Sequence, residues 1–250
     1  MTFQDLFSQR AAAYAAFRPT YPRDLFAFIA ELAPDRHRAW DCATGSGQAA
    51  ISLAEYFQHV AATDASVAQL RHARSHRRVT YHAALADASA LRDGSADLVT
   101  IAQALHWLDL DAFYAEVRRV LVPRGVLAVW SYGDPVLPGH PKANRILQRF
   151  NHETVGPYWP TERHQVGEGY RTYPFPFDEV AAPEMTLEAE WTLAQLAGYV
   201  RSWSATSRYV QQHEFDPVDA LEREWRTVWD NEAQPIRVRW PLVMRVGRRA

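Results

Sequence analysis

The chain has 250 residues, 48% of them hydrophobic and 22% charged, which is enough apolar material for a large α/β core and too much for a disordered chain. A formal net charge of -2 gives no electrostatic basis for a nucleic-acid partner, and the single cysteine, Cys42, excludes a disulfide framework and a cysteine-based zinc site. With no run of about 18 apolar residues and no basic-then-apolar leader, the sequence is expected to be cytoplasmic with no membrane partner.

Residues up to Phe17 read as a short helix that "FRPTYP" breaks, because Pro19 and Pro22 impose extended or turn backbone. Leu25, Phe26, Phe28, Ile29 and Leu32 then recur at helical spacing. "RAWDCA" is a buried strand that runs into the glycine loop "TGSG", and "QAAISLAEYF" is the helix that the loop feeds. A second strand, "HVAATDAS", stops at Asp64 and is followed by the crossover helix "SVAQLRHARSH". "VTYHAALADA" and the near-continuous apolar "ADLVTIAQAL" are the third and fourth strands. The helix "DAFYAEVRRVLVPRG" precedes the fifth strand, "VLAVWSYG". Such alternation with short links predicts a Rossmann-like α/β fold, a mostly parallel doubly wound sheet with helices on both faces.

After Gly133 the rhythm stops. Residues 134–183 are rich in Pro, Gly and aromatics ("GPYWP", "EGYRTYPFPF") and read as an inserted cap, with Tyr158, Trp159, Tyr170 and Tyr173 as its own small core. A strand "MTLEAEW", a helix from Leu193 to about residue 208 and another over 216–230 follow. The last strand, "IRVRWPLVMRV", alternates Arg with apolar residues, as a strand with one wet face does.

Three features fall at the carboxyl ends of successive strands, where open α/β sheets bind ligands. The loop "DCATGSG" has Gly45 and Gly47, which let backbone approach a ligand closely and turn N–H groups toward it. Asp64 ends the second strand, where a carboxylate can accept from both hydroxyls of a ribose. Asp87, in "ALADASAL", follows the third and can meet the exocyclic amine of an adenine. The first two alone would serve a dinucleotide equally well, but Gln48-Ala49-Ala50 offers no third glycine for a pyrophosphate.

From Asp41 to Gly133 the sequence resembles the class I S-adenosylmethionine-dependent methyltransferases. "DCATGSG" matches the D-x-G-x-G-x-G loop of that family except at Ala43, "ATDAS" its ribose-binding acid, and "LADASALRDGSADLVTIAQALHW" its adenine loop and fourth strand. "EVRRVLVPRGVLAV" is similar to the helix and fifth strand. Tyr14, Arg18, Pro19, Tyr21 and Pro22, with the pair His106-Trp107, resemble the small-molecule branch of methyltransferase type 11 that includes trans-aconitate methyltransferase-like proteins.

The resemblance implies a seven-stranded sheet and S-adenosylmethionine as cofactor. It divides the chain into N-terminal cofactor-covering helices (1–36), a cofactor-binding core (37–133), the cap (134–183) and a C-terminal part with substrate-side helices (184–250). It implies that Asp41 and the loop residues Ala43, Thr44, Gly45 and Gly47 hold the methionyl portion. Asp64 with Ala65 would take the ribose, Asp87 with Ala88 the adenine, and Gln103 would lie at the methionyl end. Arg18, beside Tyr14, is a candidate partner for the cofactor carboxylate, since a guanidinium matches a carboxylate bidentately. Ala43 adds a β-carbon facing the cofactor, which is tolerable if φ there stays below zero.

His106 reads as a pocket residue, a core histidine or a general base. Trp107, Tyr199, Arg201 and Trp203 are a candidate acceptor face, with Arg201 suited to an anion. The expected partner is a small-molecule acceptor methylated at oxygen, carboxylates included, with no metal, in a monomer or homodimer. An NAD-dependent oxidoreductase, and a catalytically degenerate methyltransferase fold used for binding, are the alternatives.

Overall fold

The computed structural model describes residues 19–250. Helix α1 (Arg23–Leu32) turns Leu25, Phe26, Ile29 and Ala30 into the core. Strand β1 (Arg38–Cys42) leads through the glycine loop into α2 (Gln48–Leu53). The alternation continues with β2 (His59–Asp64), α3 (Val67–Arg71), β3 (Val79–Ala83) and β4 (Ala96–Ala102). Helix α4 (Leu110–Val120) and β5 (Leu121–Tyr132) complete the parallel part. The sheet order is β3-β2-β1-β4-β5, and each of these pairs is parallel. Strand order therefore reverses between β1 and β4, and a crevice opens at such a switch point beyond the carboxyl ends of the strands. Register makes these ends level, since Cys42 faces both Thr63 and Ile101, and Asp64 faces Ala83.

Helices cover both faces, so the central strands carry almost unbroken apolar runs. Ala39, Leu98, Val126, Ala128 and Trp130 face one apolar layer, with α1 and α2. Trp40, Cys42, Val99, Ile101, Leu127 and Val129 face the other, with Phe113 and Val117 of α4.

The second half adds α5 (Pro141–Arg149), α6 (Arg163–Gly167), β6 (Asp178–Val180), β7 (Met185–Trp191), α7 (Leu193–Arg201), α8 (Ser204–His213), α9 (Val218–Arg226) and β8 (Ile236–Arg248). Strand β8 is antiparallel to β5 and carries both β6 and β7 on its outer edge, which makes eight strands where seven were expected. The alternation of β8 is as predicted: Ile236, Val238 and Trp240 are buried, while Arg237 and Arg239 pair with Glu190 and Glu188 across the strands.

Three readings are corrected. The helix expected over 111–125 stops at Val120, and "LVPRG" opens β5 with Arg124 at φ +62° and a register shift against β4. The helix expected over 193–208 breaks at Trp203, whose extended backbone (φ -68°, ψ 141°) starts α8 afresh. The cap aromatics form no core of their own: Tyr158 packs on Tyr209 and His213, Trp159 on Trp203, and Tyr170 on Tyr173 and His106. Leu147, Phe150 and Val155 of the same segment join the main core with Trp225 and Leu196.

Candidate functional site

Asp41, near the end of β1, is 1% exposed. Its Oδ1 accepts from Thr100 Oγ1 of β4 at 2.8 Å and its Oδ2 from Thr44 Oγ1 at 2.5 Å. Burial pushes its pKa up to about 6 against these two hydroxyls, which act the other way. The neighbouring Cys42 is buried and its thiol is pushed well up by desolvation, which suits a packing role.

The loop after β1 is left-handed at three positions: Ala43 (φ +52°), Gly45 (φ +56°) and Gly47 (φ +81°). The condition set for Ala43, a φ below zero, is not met; an alanine occupies a conformation that its β-carbon disfavours. Gly47 has no such freedom to change, because a Cβ there would lie 2.2 Å from the Tyr81 hydroxyl of β3. Three of the loop's donors are turned inward: Thr44 N to Thr63 O (2.9 Å), Gly45 N to Asp64 Oδ2 (2.8 Å) and Gly47 N to Thr44 O (3.0 Å). A pyrophosphate needs outward N–H groups, and these three are not available to form an anion cradle. Inward donors beside the carboxylates Asp41 and Asp64 suit a ligand with a cationic centre.

Asp64 ends β2 level with the loop. Its Oδ1 accepts from Ser66 N at 2.8 Å, closing an Asx turn around Ala65, and Ser66 Oγ in turn caps α3 by accepting from Gln69 N. Asp87 and Ala88 lie exposed in a turn after β3, closed by Ala88 N to Leu85 O at 3.2 Å. The end of that turn is anchored: Ser89 N and Oγ both donate to Glu116 Oε1 of α4, at 2.8 and 2.6 Å. Arg119 first, with the Ser89 donors, holds Glu116 down to about 2.

Gln103, just past β4, is also left-handed (φ +57°); its N bonds Trp130 O at 2.9 Å and its Nε2 donates to Tyr132 O at 3.3 Å. Two non-glycine residues in this region, at the ends of adjacent strands around one crevice, mark stored backbone strain of the kind found at binding sites.

His106 lies in a short 3-10 turn, Leu105–Trp107. Its Nδ1 is 3.0 Å from the Tyr170 hydroxyl of the cap, and its ring is 4.5 Å from that of Trp107. Burial and then the charge of Arg163 bring its pKa down to about 3, so the imidazole is neutral at ordinary pH. Arg163, on α6, donates to Asp134 Oδ1 at 2.6 Å and stacks 4.3 Å over Trp159. Asn151 completes this set, donating to Asp134 Oδ2 and accepting from Trp159 Nε1.

The expected acceptor face is not assembled as one surface. Trp107 is 37% exposed at the rim, but Tyr199 and Trp203 are 3% exposed. Tyr199 accepts from Trp240 Nε1, and Trp203 packs among Phe150, Trp159 and Tyr199. Arg201 bonds Asp216, Asp219 and Glu222 through all three guanidinium nitrogens. The cation whose charge reaches His106 is Arg163. Thr100 could have been read from the sequence as the one polar residue inside the apolar run "LVTIA", whereas nothing local distinguished Arg163. Tyr14 and Arg18 lie outside the described residues. Among the described residues no three His, Cys, Asp or Glu side chains gather to hold a metal, and no helix is long and apolar enough to cross a membrane.

A family model described as a methyltransferase domain matches residues 40–129. A Dictyostelium discoideum protein whose name assigns it to the methyltransferases is 30% identical over 99% of this chain and 96% of its own. A solved structure from Anaeromyxobacter dehalogenans, named as a type II methyltransferase, is 42% identical with a TM-score of 0.87, over 93% of this chain and 98% of that one. An N-methyltransferase of Haemonchus contortus, solved with S-adenosylhomocysteine, shares the fold alone, at 16% identity and a TM-score of 0.50 over 100% of this chain and 60% of that one. The choice that the glycine loop left open between an oxidoreductase and a methyl-transferring enzyme is thereby answered: the chain belongs to the class I S-adenosylmethionine-dependent methyltransferases.

Proposed function

We propose that this methyltransferase acts on an oxygen of a small-molecule acid, and that Arg163, the cation whose charge reaches His106, receives the acceptor. S-adenosylmethionine, when bound, supplies an electrophilic methyl on a sulfonium sulfur. In this reading Asp41 and the 43–47 loop hold the methionyl end with Gln103, and Arg18 beside Tyr14 meets its carboxylate. Asp64 with Ala65 holds the ribose, and Asp87 with Ala88 the adenine. The inward-turned donors of the loop support this, because they leave a negative rather than a positive lining next to Asp41 and Asp64.

The observation that carries the acceptor class is the guanidinium of Arg163, anchored on Asp134 and Trp159, with its charge reaching a buried, neutral His106. Arg163 is held over Trp159 and fixed from one side by Asp134, which preorganises its fork for a carboxylate. His106, drawn down to about 3, is a poor base and can orient an acceptor through a hydrogen bond. A carboxylate acceptor fits that division of labour: it is ionised near neutral pH, so its oxygen needs no base and loses no proton. Catalysis then rests on holding nucleophilic oxygen, methyl and sulfur in line. Trp107, at the rim, closes the acceptor side.

Incubation with methyl-labelled S-adenosylmethionine and a panel of small acids, alcohols and amines tests the reading. The expected product is a methyl ester, whose label is released as methanol by mild base. Label fixed in a base-stable N-methyl product would contradict it.

A further inference from the structure

The glycine loop lies close to two acceptors, only one of which it uses. Gly45 N donates to Asp64 Oδ2 at 2.8 Å. Also close to Gly45 is Gln69 Oε1, the one atom within 4 Å of where a Gly45 Cβ would be, at 4.0 Å. Gln69 is 5% exposed and its Oε1 is sealed without a hydrogen-bond partner. A buried carbonyl left unpaired is costly and calls for an explanation. The Gln69 backbone is held in place, since Gln69 N donates to Ser66 Oγ and Ser66 N to Asp64 Oδ1, so acid, serine and glutamine form one unit. Gly45, left-handed and without a side chain, is the residue of the loop best able to rotate its peptide.

We propose that Gln69 is a cofactor-positioning residue: Gly45 N–H passes from Asp64 to the unpaired Gln69 Oε1 when ribose hydroxyls claim the Asp64 carboxylate. The exchange balances. Asp64 gives up a backbone donor and gains hydroxyl donors, Gly45 keeps one acceptor throughout, and the sealed carbonyl acquires its missing partner. No atom is transferred; the Thr44–Gly45 peptide turns, and with it Thr44 O, which accepts from Gly47 N at 3.0 Å. This inference rests on the assignment of Asp64 to the ribose.

The test uses the whole chain and S-adenosylhomocysteine, by isothermal titration and by the Gly45 amide resonance in 1H–15N spectra. In the wild type the Gly45 amide proton moves upfield at saturation, as a bond to a carboxylate is replaced by one to a neutral carbonyl. Gln69→Met, of similar shape and without the orphaned oxygen, is expected to melt no lower than wild type. It should bind about tenfold more weakly, the worth of one lost hydrogen bond. Wild-type affinity in Gln69→Met, or an unmoved Gly45 amide in the saturated wild type, overturns the exchange and leaves the ribose assignment standing. Absence of binding by the wild type itself overturns both.

Discussion

Replacing Ala43 by glycine should stabilise the protein although it removes a side chain. At φ +52° the alanine is in the left-handed region, where a β-carbon costs roughly 1–2 kcal/mol. Glycine relieves that cost but adds about 0.4–1 kcal/mol of freedom to the unfolded chain. The methyl group is only partly buried, so little packing is lost. The balance is a gain of about 0.5–1 kcal/mol. In a chain of this size that raises the melting temperature by about 1–4 °C, readable by calorimetry. Denaturant titration should show a higher midpoint with an unchanged slope. An Ala43→Gly variant that melts below the wild type would refute the reasoning, since it would mean that the β-carbon makes contacts worth more than its strain.

Other outcomes follow from the same geometry. The pKa of Asp41, raised to about 6, makes its ionised form a burden on the fold that is absent below about pH 4 and complete above pH 6; at about 1.4 kcal/mol per unit this is about 3 kcal/mol. The stability of Asp41→Asn relative to wild type should therefore rise by about that amount between pH 4 and pH 7.5, and parallel pH curves would contradict it. Glu116, held down to about 2, contributes in the opposite sense: its stabilisation is present above about pH 4.5 and lost as pH falls toward 2. Glu116→Gln should cost about 2–3 kcal/mol at pH 7 and nothing near pH 2, checked by urea unfolding across that range. Gly47→Ala meets the Tyr81 hydroxyl at 2.2 Å in a left-handed backbone and should lower stability by about 2 kcal/mol or more, with Gly47→Ala/Tyr81→Phe recovering part of it. Arg201→Ala leaves Asp216, Asp219 and Glu222 facing one another and should lose about 1–2 kcal/mol, while the affinity for S-adenosylhomocysteine stays unchanged.

The parallel half was legible because its physics is local. Apolar runs that end in Asp41 and Asp64, with glycines between strand and helix, set element type, order and the level of the strand ends together. Ala43 was legible as an exception but not as strained, since φ is decided by the Thr44 and Gly45 hydrogen bonds to the neighbouring strand. The acceptor side was not legible. Arg201 and Arg163 are both arginines on helices among aromatics, and only tertiary placement gives one to three carboxylates and the other to Asp134, with its charge reaching His106. The same holds for residues 134–183: their aromatics looked self-sufficient in sequence, yet Tyr158, Trp159 and Tyr170 find ring partners on other elements, and only Tyr170 with Tyr173 stack within the segment.

Titration calorimetry of S-adenosylhomocysteine with the wild type and with Asp64→Ala tests the central claim most directly. The account predicts a saturable one-to-one isotherm for the wild type and affinity weaker by at least about tenfold in a folded Asp64→Ala, as befits lost hydrogen bonds to a charged group. No heat from the wild type at millimolar ligand, or equal affinity in the variant, would contradict it.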